Sequence, residues 1–316
     1  MNIKKLESCE TVKKAVFIVG AILCFLPFVD PSIALLGGFI LTLIFGNPFL
    51  KSSQGAVNIL LQISIVGLGF GMNIFDAAEA GEEGLLFTMS SIFITLLGGL
   101  LLGKLFSIKK KTNVLISVGT AICGGSAIAA IAPIIEAKEE ETSIALATIF
   151  VLNSAALFLF PFIAELLVLS QNQFGIWSAI AIHDTSSVVG AAQKYGEEAL
   201  KIATTVKLER ALWIIPISLI TSLSFKNKRK QVKIPYFILL FVMSMVINTF
   251  IPSLSSLNQL IVHVSKKLLT LTLFLIGGGL TLKSIKTAGA KPLLQGILLW
   301  IFISATSLLV ILKLVS

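Results

Sequence analysis

The stretch "GTAICGGSAIAAIAP", residues 119–133, lies inside an apolar run long enough to cross a lipid bilayer, yet it carries adjacent glycines, a proline, two hydroxyls and a thiol. Glycine costs about 1 kcal/mol relative to alanine in a helix interior, and a helix that opens here frees backbone groups that lipid cannot satisfy. Such a break survives only against protein or water. If the chain unwinds over Cys123, Gly124, Gly125 and Ser126, the half-helix starting near Ser126 turns free N–H groups and the positive end of its dipole toward the bilayer midplane. Thr120 and Ser126 add hydroxyls, and the whole has the chemistry of a small-anion site. The alternative is that "GGSA" lets a second helix approach closely, as small residues do in many membrane bundles.

The rest of the chain agrees with lipid as the solvent. Of its 316 residues, 56% are hydrophobic and 13% charged, more apolar surface than a soluble domain can hide. The first apolar run follows "NIKKLESCETVKK" with no small-residue cleavage site behind it, so it reads as a retained membrane anchor. Cys9, Cys24 and Cys123 form neither a disulfide framework nor a zinc-binding pattern. The net charge of +9 is distributed by loop: basic residues gather at 4–5, 13–14, 104–111, 226–233 and 283–291, and acidic ones at 76–83, 136–141 and 196–198. That alternation is the positive-inside pattern of a polytopic protein, not a nucleic-acid footprint.

A spanning helix needs about 20 mostly apolar residues. On that basis eleven spans are expected, near 14–29, 31–47, 55–75, 85–106, 113–135, 142–168, 174–192, 200–224, 234–252, 259–282 and 292–315. With the N-terminus cytoplasmic, basic loops fall inside and acidic loops outside; Lys266 and Lys267 are misfits that snorkelling to the interface would accommodate. An odd total suggests an N-terminal tail and extra helix over 1–30, then two five-helix repeats over 31–170 and 174–316. A five-helix unit repeated in tandem is inverted across the membrane, a recurring plan of secondary transporters. Span five then pairs with span ten, whose "LFLIGGGLTLKS" holds Gly277, Gly278 and Gly279. A Gly-interrupted pair in corresponding positions points to a transport site.

Span seven carries "AIAIHDTSSVVGAA", residues 179–192, which puts His183 and Asp184 near mid-membrane with Thr185 and Ser186 behind them. Ionisable groups at that depth are functional candidates, here for proton coupling, with a satisfied structural pair as the alternative. Span eight carries "TTVKLERALWIIP", residues 204–216, in which Lys207 and Arg210 are three apart and share a helix face. They are read at or below the interface, drawing in a divalent anion, pairing with acids, or snorkelling outward. Asn153 and Asn73 are lone amides in apolar spans, expected to bond between helices.

"GTAICGGSAIAAIAP", the acidic loop, "ALATIFVLN", "AIHD" and "ATTVKLERALWIIP" together resemble the YeiH-type bacterial inner-membrane proteins, grouped as a sulfate exporter family, over about residue 30 to the end. The resemblance implies a fold related to the bile-acid sodium symporter superfamily, with crossed discontinuous helices, and a secondary-transport role. The expectation is an all-α multi-pass protein of the bacterial inner membrane that carries a small anion, such as sulfate or an organosulfonate, by alternating access. The substrate-binding residues would be Thr120, Cys123, Gly124, Gly125, Ser126, Gly277, Gly278 and Gly279. Asn153, His183, Asp184, Thr185, Ser186, Lys207 and Arg210 would couple or line the cavity. The expected partners are the anion and the bilayer, with a homodimer allowed, no nucleic acid, no metal and no cofactor beyond a coupling H+ or Na+. A sodium-coupled organic-anion symporter is the second reading. An intramembrane hydrolase using Ser126, His183 and Asp184 is the third, although neither a "GxSxG" elbow nor "HExxH" is present.

Overall fold

The computed structural model describes residues 3–225, 236–279 and 288–314. In chain order its helices are α1 (Ile3–Leu23), α2 (Pro31–Phe45), α3 (Leu50–Gly69), α4 (Ile74–Leu105), α5 (Lys110–Ala121), α6 (Gly125–Ile134) and α7 (Glu139–Leu166). There follow α8 (Gln171–Ala181), α9 (Thr185–Tyr195), α10 (Glu197–Leu212), α11 (Ile214–Ser224), α12 (Tyr236–Phe250), α13 (Ser255–Gly279) and α14 (Ala290–Leu314). No strand occurs among the described residues. The basic segments 226–233 and 283–287 lie outside them.

Among the described residues four helices are long and apolar enough to cross a membrane, around Thr88–Leu105, Glu139–Leu166, Pro252–Gly279 and Ala290–Lys313. Spans five, seven and eight of the sequence reading fall below that length because each is divided: α5 from α6, α8 from α9, and α10 from α11 at Trp213. Shorter apolar helices, of 10–17 residues, lie at Pro31–Phe45, Gly55–Gly69, Gly125–Ile134 and Tyr236–Phe250.

Two compact units form, one from Met1–Ile74 with Phe237–Leu282 and the other from Phe75–Tyr236 with Lys283–Ser316. Both draw on both halves of the chain.

In the first unit α2 begins on Asp30, whose Oδ1 accepts from the amides of Ser32 and Ile33 at 2.7 and 2.9 Å, with Pro31 preset for the first turn. It ends at Gly46, where φ is 76°. The three glycines of span ten correct the sequence reading, because α13 stays helical through Gly277, Gly278 and Gly279. A Cβ on Gly277 would lie 2.0 Å from the Leu35 carbonyl oxygen, and one on Gly38 2.0 Å from that of Phe274, so α2 and α13 touch backbone to backbone. Thr42 Oγ1 and Asn47 Nδ2 donate to the Gly278 carbonyl at 2.9 and 2.8 Å. What looked like an interruption is a contact face. Lys267, rather than reaching for the interface, donates to the Leu26 carbonyl at 2.6 Å. Phe17 packs on Phe274 and Phe49, closing α1 over this pair.

The second unit has an aromatic centre, with Phe160 of α7 against Trp177 of α8 and Trp300 of α14 at 4.5 and 5.7 Å between ring centroids. Trp177 Nε1 donates to the Ser304 carbonyl at 3.0 Å, which satisfies its one buried donor. A polar junction joins α4, α5 and α14: Gln295 Nε2 donates to the Gly99 carbonyl at 2.9 Å and to Asn113 Oδ1 at 2.6 Å, while Asn113 Nδ2 donates to the Leu100 carbonyl. These contacts hold the frame in which the two helix breaks are set.

Candidate functional site

The α5–α6 break runs over Ile122, Cys123 and Gly124. Gly124 has φ 65° and ψ −124°, a region closed to side-chain-bearing residues, which explains the glycine chemically. Its amide reaches back to the Gly119 carbonyl at 2.9 Å, and α6 begins at Gly125 with Gly124 as an N-cap that has no side chain to offer. The unwinding therefore falls slightly before the expected Cys123–Ser126. Cys123 is buried, Gly125 is half-buried with the Phe150 ring 3.3 Å from where its Cβ would stand, and Ser126 is exposed.

The α8–α9 break runs over Ile182, His183 and Asp184 in extended geometry. Asp184 caps α9: its Oδ2 accepts from the Ser186 amide at 3.1 Å and from the Ser186 hydroxyl. Asn153 of α7, 3% exposed, closes the other side, its Oδ1 accepting from the amides of His183 and Asp184 at 3.1 and 3.2 Å. Thr185 and Ser186 are buried in the first turn of α9. The two breaks meet, since a Cβ on Gly124 would lie 3.2 Å from the Asp184 Cα.

Helix α10 packs against α8 and α9 and brings Lys207 and Arg210 to this meeting point. Both are 0% exposed, so the snorkelling expectation is corrected. Lys207 Nζ donates to the carbonyls of Ala179 and Ile182 at 3.2 and 2.7 Å, at the C-terminal end of α8. Arg210 Nη2 donates to the Ala121 carbonyl, the last residue of α5, and Nη1 donates to Ser91 Oγ of α4 at 2.6 Å. A half-helix leaves its final carbonyls without intrahelical partners, and here one cation serves each end. The ion pair considered between these residues and Asp184 does not form, because no carboxylate lies within 4 Å of either among the described residues.

Several donors and acceptors at the junction have no protein partner: Thr120 Oγ1, Asn153 Nδ2, both ring nitrogens of His183, and Arg210 Nε. The hydrolase arrangement of Ser126, His183 and Asp184 is not assembled, as Asp184 is engaged by Ser186 and neither His183 nitrogen is bonded. Gly277, Gly278 and Gly279 lie in the other unit, the first two in the α2–α13 contact and Gly279 with nothing within 4 Å of where its Cβ would stand. No group of three or more His, Cys, Asp or Glu side chains suited to a metal occurs among the described residues.

Two contributors escaped the sequence reading. Ser91, which anchors Arg210, is one hydroxyl of a "SS" pair in an apolar span, where such groups ordinarily bond their own helix; Ser91 also does that, donating to the Thr88 carbonyl at 2.9 Å. Phe150, the cover of Gly125, is one aromatic among the chain's 22 phenylalanines and carries no local mark.

Residues 15–296 match the family model described as "Conserved hypothetical protein 698". A UPF0324 membrane protein of Photobacterium profundum is 51% identical over 305 residues, covering 96% of this chain and 92% of its own. Others from Bacteroides thetaiotaomicron and Bdellovibrio bacteriovorus are 51% and 46% identical, over 89% and 94% of this chain and 86% and 93% of their own. No solved structure matches the chain. With matches that run through both helix breaks and α10, the chain belongs to the UPF0324 family of membrane proteins, the YeiH-type family that its motifs resemble.

Proposed function

We propose that this protein is a secondary active transporter of a small anion, moved by alternating access past the junction of the two helix breaks. The charge at that junction carries the reading. Lys207 and Arg210 are fully buried without a carboxylate within 4 Å, and an unpaired charge in a membrane-embedded unit is costly. The two carbonyl ends they cap offer only about half a negative charge each. An ammonium has three protons and two are engaged, while Arg210 Nε has none of its bonding satisfied. The first turn of α6, whose N-cap is a glycine, adds positive potential beside them.

An oxyanion such as sulfate or an organosulfonate supplies several acceptor oxygens to converging donors of this kind, and the YeiH-type resemblance favours the same class. The reading includes eleven spans in two inverted repeats, a bacterial inner-membrane location with a cytoplasmic N-terminus, and transport driven by an ion gradient with no chemical step. Thermal melting of the purified full-length protein in sulfate, methanesulfonate, acetate and chloride at matched ionic strength tests it. The binding anion stabilises by about 2.7 kcal/mol at a hundred times its Kd. Thr120→Val, which removes a hydroxyl that has no partner in the ligand-free protein, leaves the ligand-free melting temperature unchanged or higher and shrinks the anion shift. Absence of any anion shift in the unmodified protein overturns the reading, as does a Thr120→Val protein that is less stable without ligand yet keeps the full shift.

A further inference from the structure

Where a transporter helix is interrupted, its two exposed ends carry opposite partial charge. N-terminal ends face anionic substrate groups, and unwound carbonyls with C-terminal ends coordinate the coupling cation. In this protein the carbonyl ends of both interrupted helices are already occupied by protein. Lys207 holds the Ala179 and Ile182 carbonyls of α8, Arg210 holds the Ala121 carbonyl of α5, and both side chains come from one face of α10. We infer that Lys207 and Arg210 are built-in substitutes for coupling cations, so that the junction needs no sodium, and that Lys207 in particular fills what is otherwise a sodium-type site of backbone carbonyls. The inference rests on the transport reading for its significance, but not for its test.

Besides Arg210 on its own helix, the titratable groups that Lys207 feels electrostatically are Cys123 of the α5–α6 break and His183 and Asp184 of the α8–α9 break. The Asp184 carboxylate is turned to Ser186 in the first turn of α9. Helix α8, which Lys207 caps, bears no ionisable side chain in its sequence Gln171–Ala181. Two of the three ammonium protons go to backbone carbonyls, the ligand type that a monovalent cation takes, and no carboxylate lies within 4 Å among the described residues. Lys207 and Arg210 thereby also fix the half-helix ends, so that the amides and hydroxyls of the junction keep their directions, while the third Lys207 proton and Arg210 Nε stay open toward the anion.

The test is the ligand-free melting temperature of the full chain in detergent, in sodium chloride against N-methyl-D-glucamine chloride at the same ionic strength. The unmodified protein melts at the same temperature in both. Lys207→Met retains the apolar stem but vacates the carbonyls, so it melts lower in N-methyl-D-glucamine and recovers by a few degrees in sodium. A lysine with a merely structural role predicts equal losses in both salts. If Lys207→Met yields no folded protein, Lys207→Gln, which keeps a neutral donor and removes the charge, carries the same comparison with a smaller sodium response. Sodium-dependent stabilisation of the unmodified protein overturns the inference, and so does a variant whose loss is indifferent to sodium. Neither outcome involves the anion, so the inference can fail while the anion shift persists, and the reverse.

Discussion

Asn153 shows how one side chain decides whether a helix break is tolerable. Its Oδ1 is the acceptor for two consecutive amides, His183 and Asp184, that α8 and α9 both leave open. Asn153→Leu orphans both, at about 1–3 kcal/mol for each buried amide, and should lower the melting temperature strongly. Asn153→Asp keeps an acceptor oxygen and should lose less, and Ser154→Ala, which removes an exposed hydroxyl bonded to its own helix at the Phe150 carbonyl, should stay within about 0.5 kcal/mol. Equal losses in the Leu and Asp variants would show that the amide oxygen is not what matters. The sequence marks Asn153 as a polar residue in an apolar span, but its partner lies 30 residues away and is backbone, which no local pattern reveals. Lys207 is similar: its depth is legible, but its direction depends on the rotation of α10 against α8.

Among elements, the breaks were legible to different degrees. The adjacent glycines at 124 and 125 announce the first, because only glycine accepts the φ of 65° that lets α5 stop and α6 start. The second was also written in the chain, as an Asp before "TSSVV" is a helix N-cap signature, although the sequence reading weighed Asp184 chiefly as a titratable group. The glycines at 277–279 mislead because a run of small residues opens a helix or closes a contact depending on what faces it, and what faces it here is α2. The contact can be tested within that helix. Gly38→Ala drives a Cβ into the Phe274 carbonyl, while Gly37→Ala meets nothing within 4 Å. The first should destabilise by about 1–3 kcal/mol, and the second should be neutral or gain up to about 1 kcal/mol from helix propensity. Equal behaviour in chemical or thermal denaturation would remove the backbone contact from the account.

For the whole molecule, the alternation of basic and acidic loops gives a topology that labelling can check. Single cysteines on a cysteine-free background at 106–111 and 226–233 should react from one side of the membrane, and those at 136–141 and 196–198 from the other. Reaction of 136–141 and 226–233 from the same side would break the eleven-span count. The assembly of the units from both chain halves was not legible, because composition and hydropathy report that a segment is buried in lipid without reporting which segment it touches. One further property follows from α2. Bounded by Asp30 and Gly46, its 15 residues rise only about 22 Å, and Ile33, Leu36, Ile40, Leu43 and Ile44 along it are exposed. A hydrocarbon layer is about 30 Å deep, so lipid beside this helix must compress to wet it. The protein is thus tuned to membrane thickness: after reconstitution it should hold its fold to higher temperature among short-chain lipids, and long acyl chains should strain α2 first.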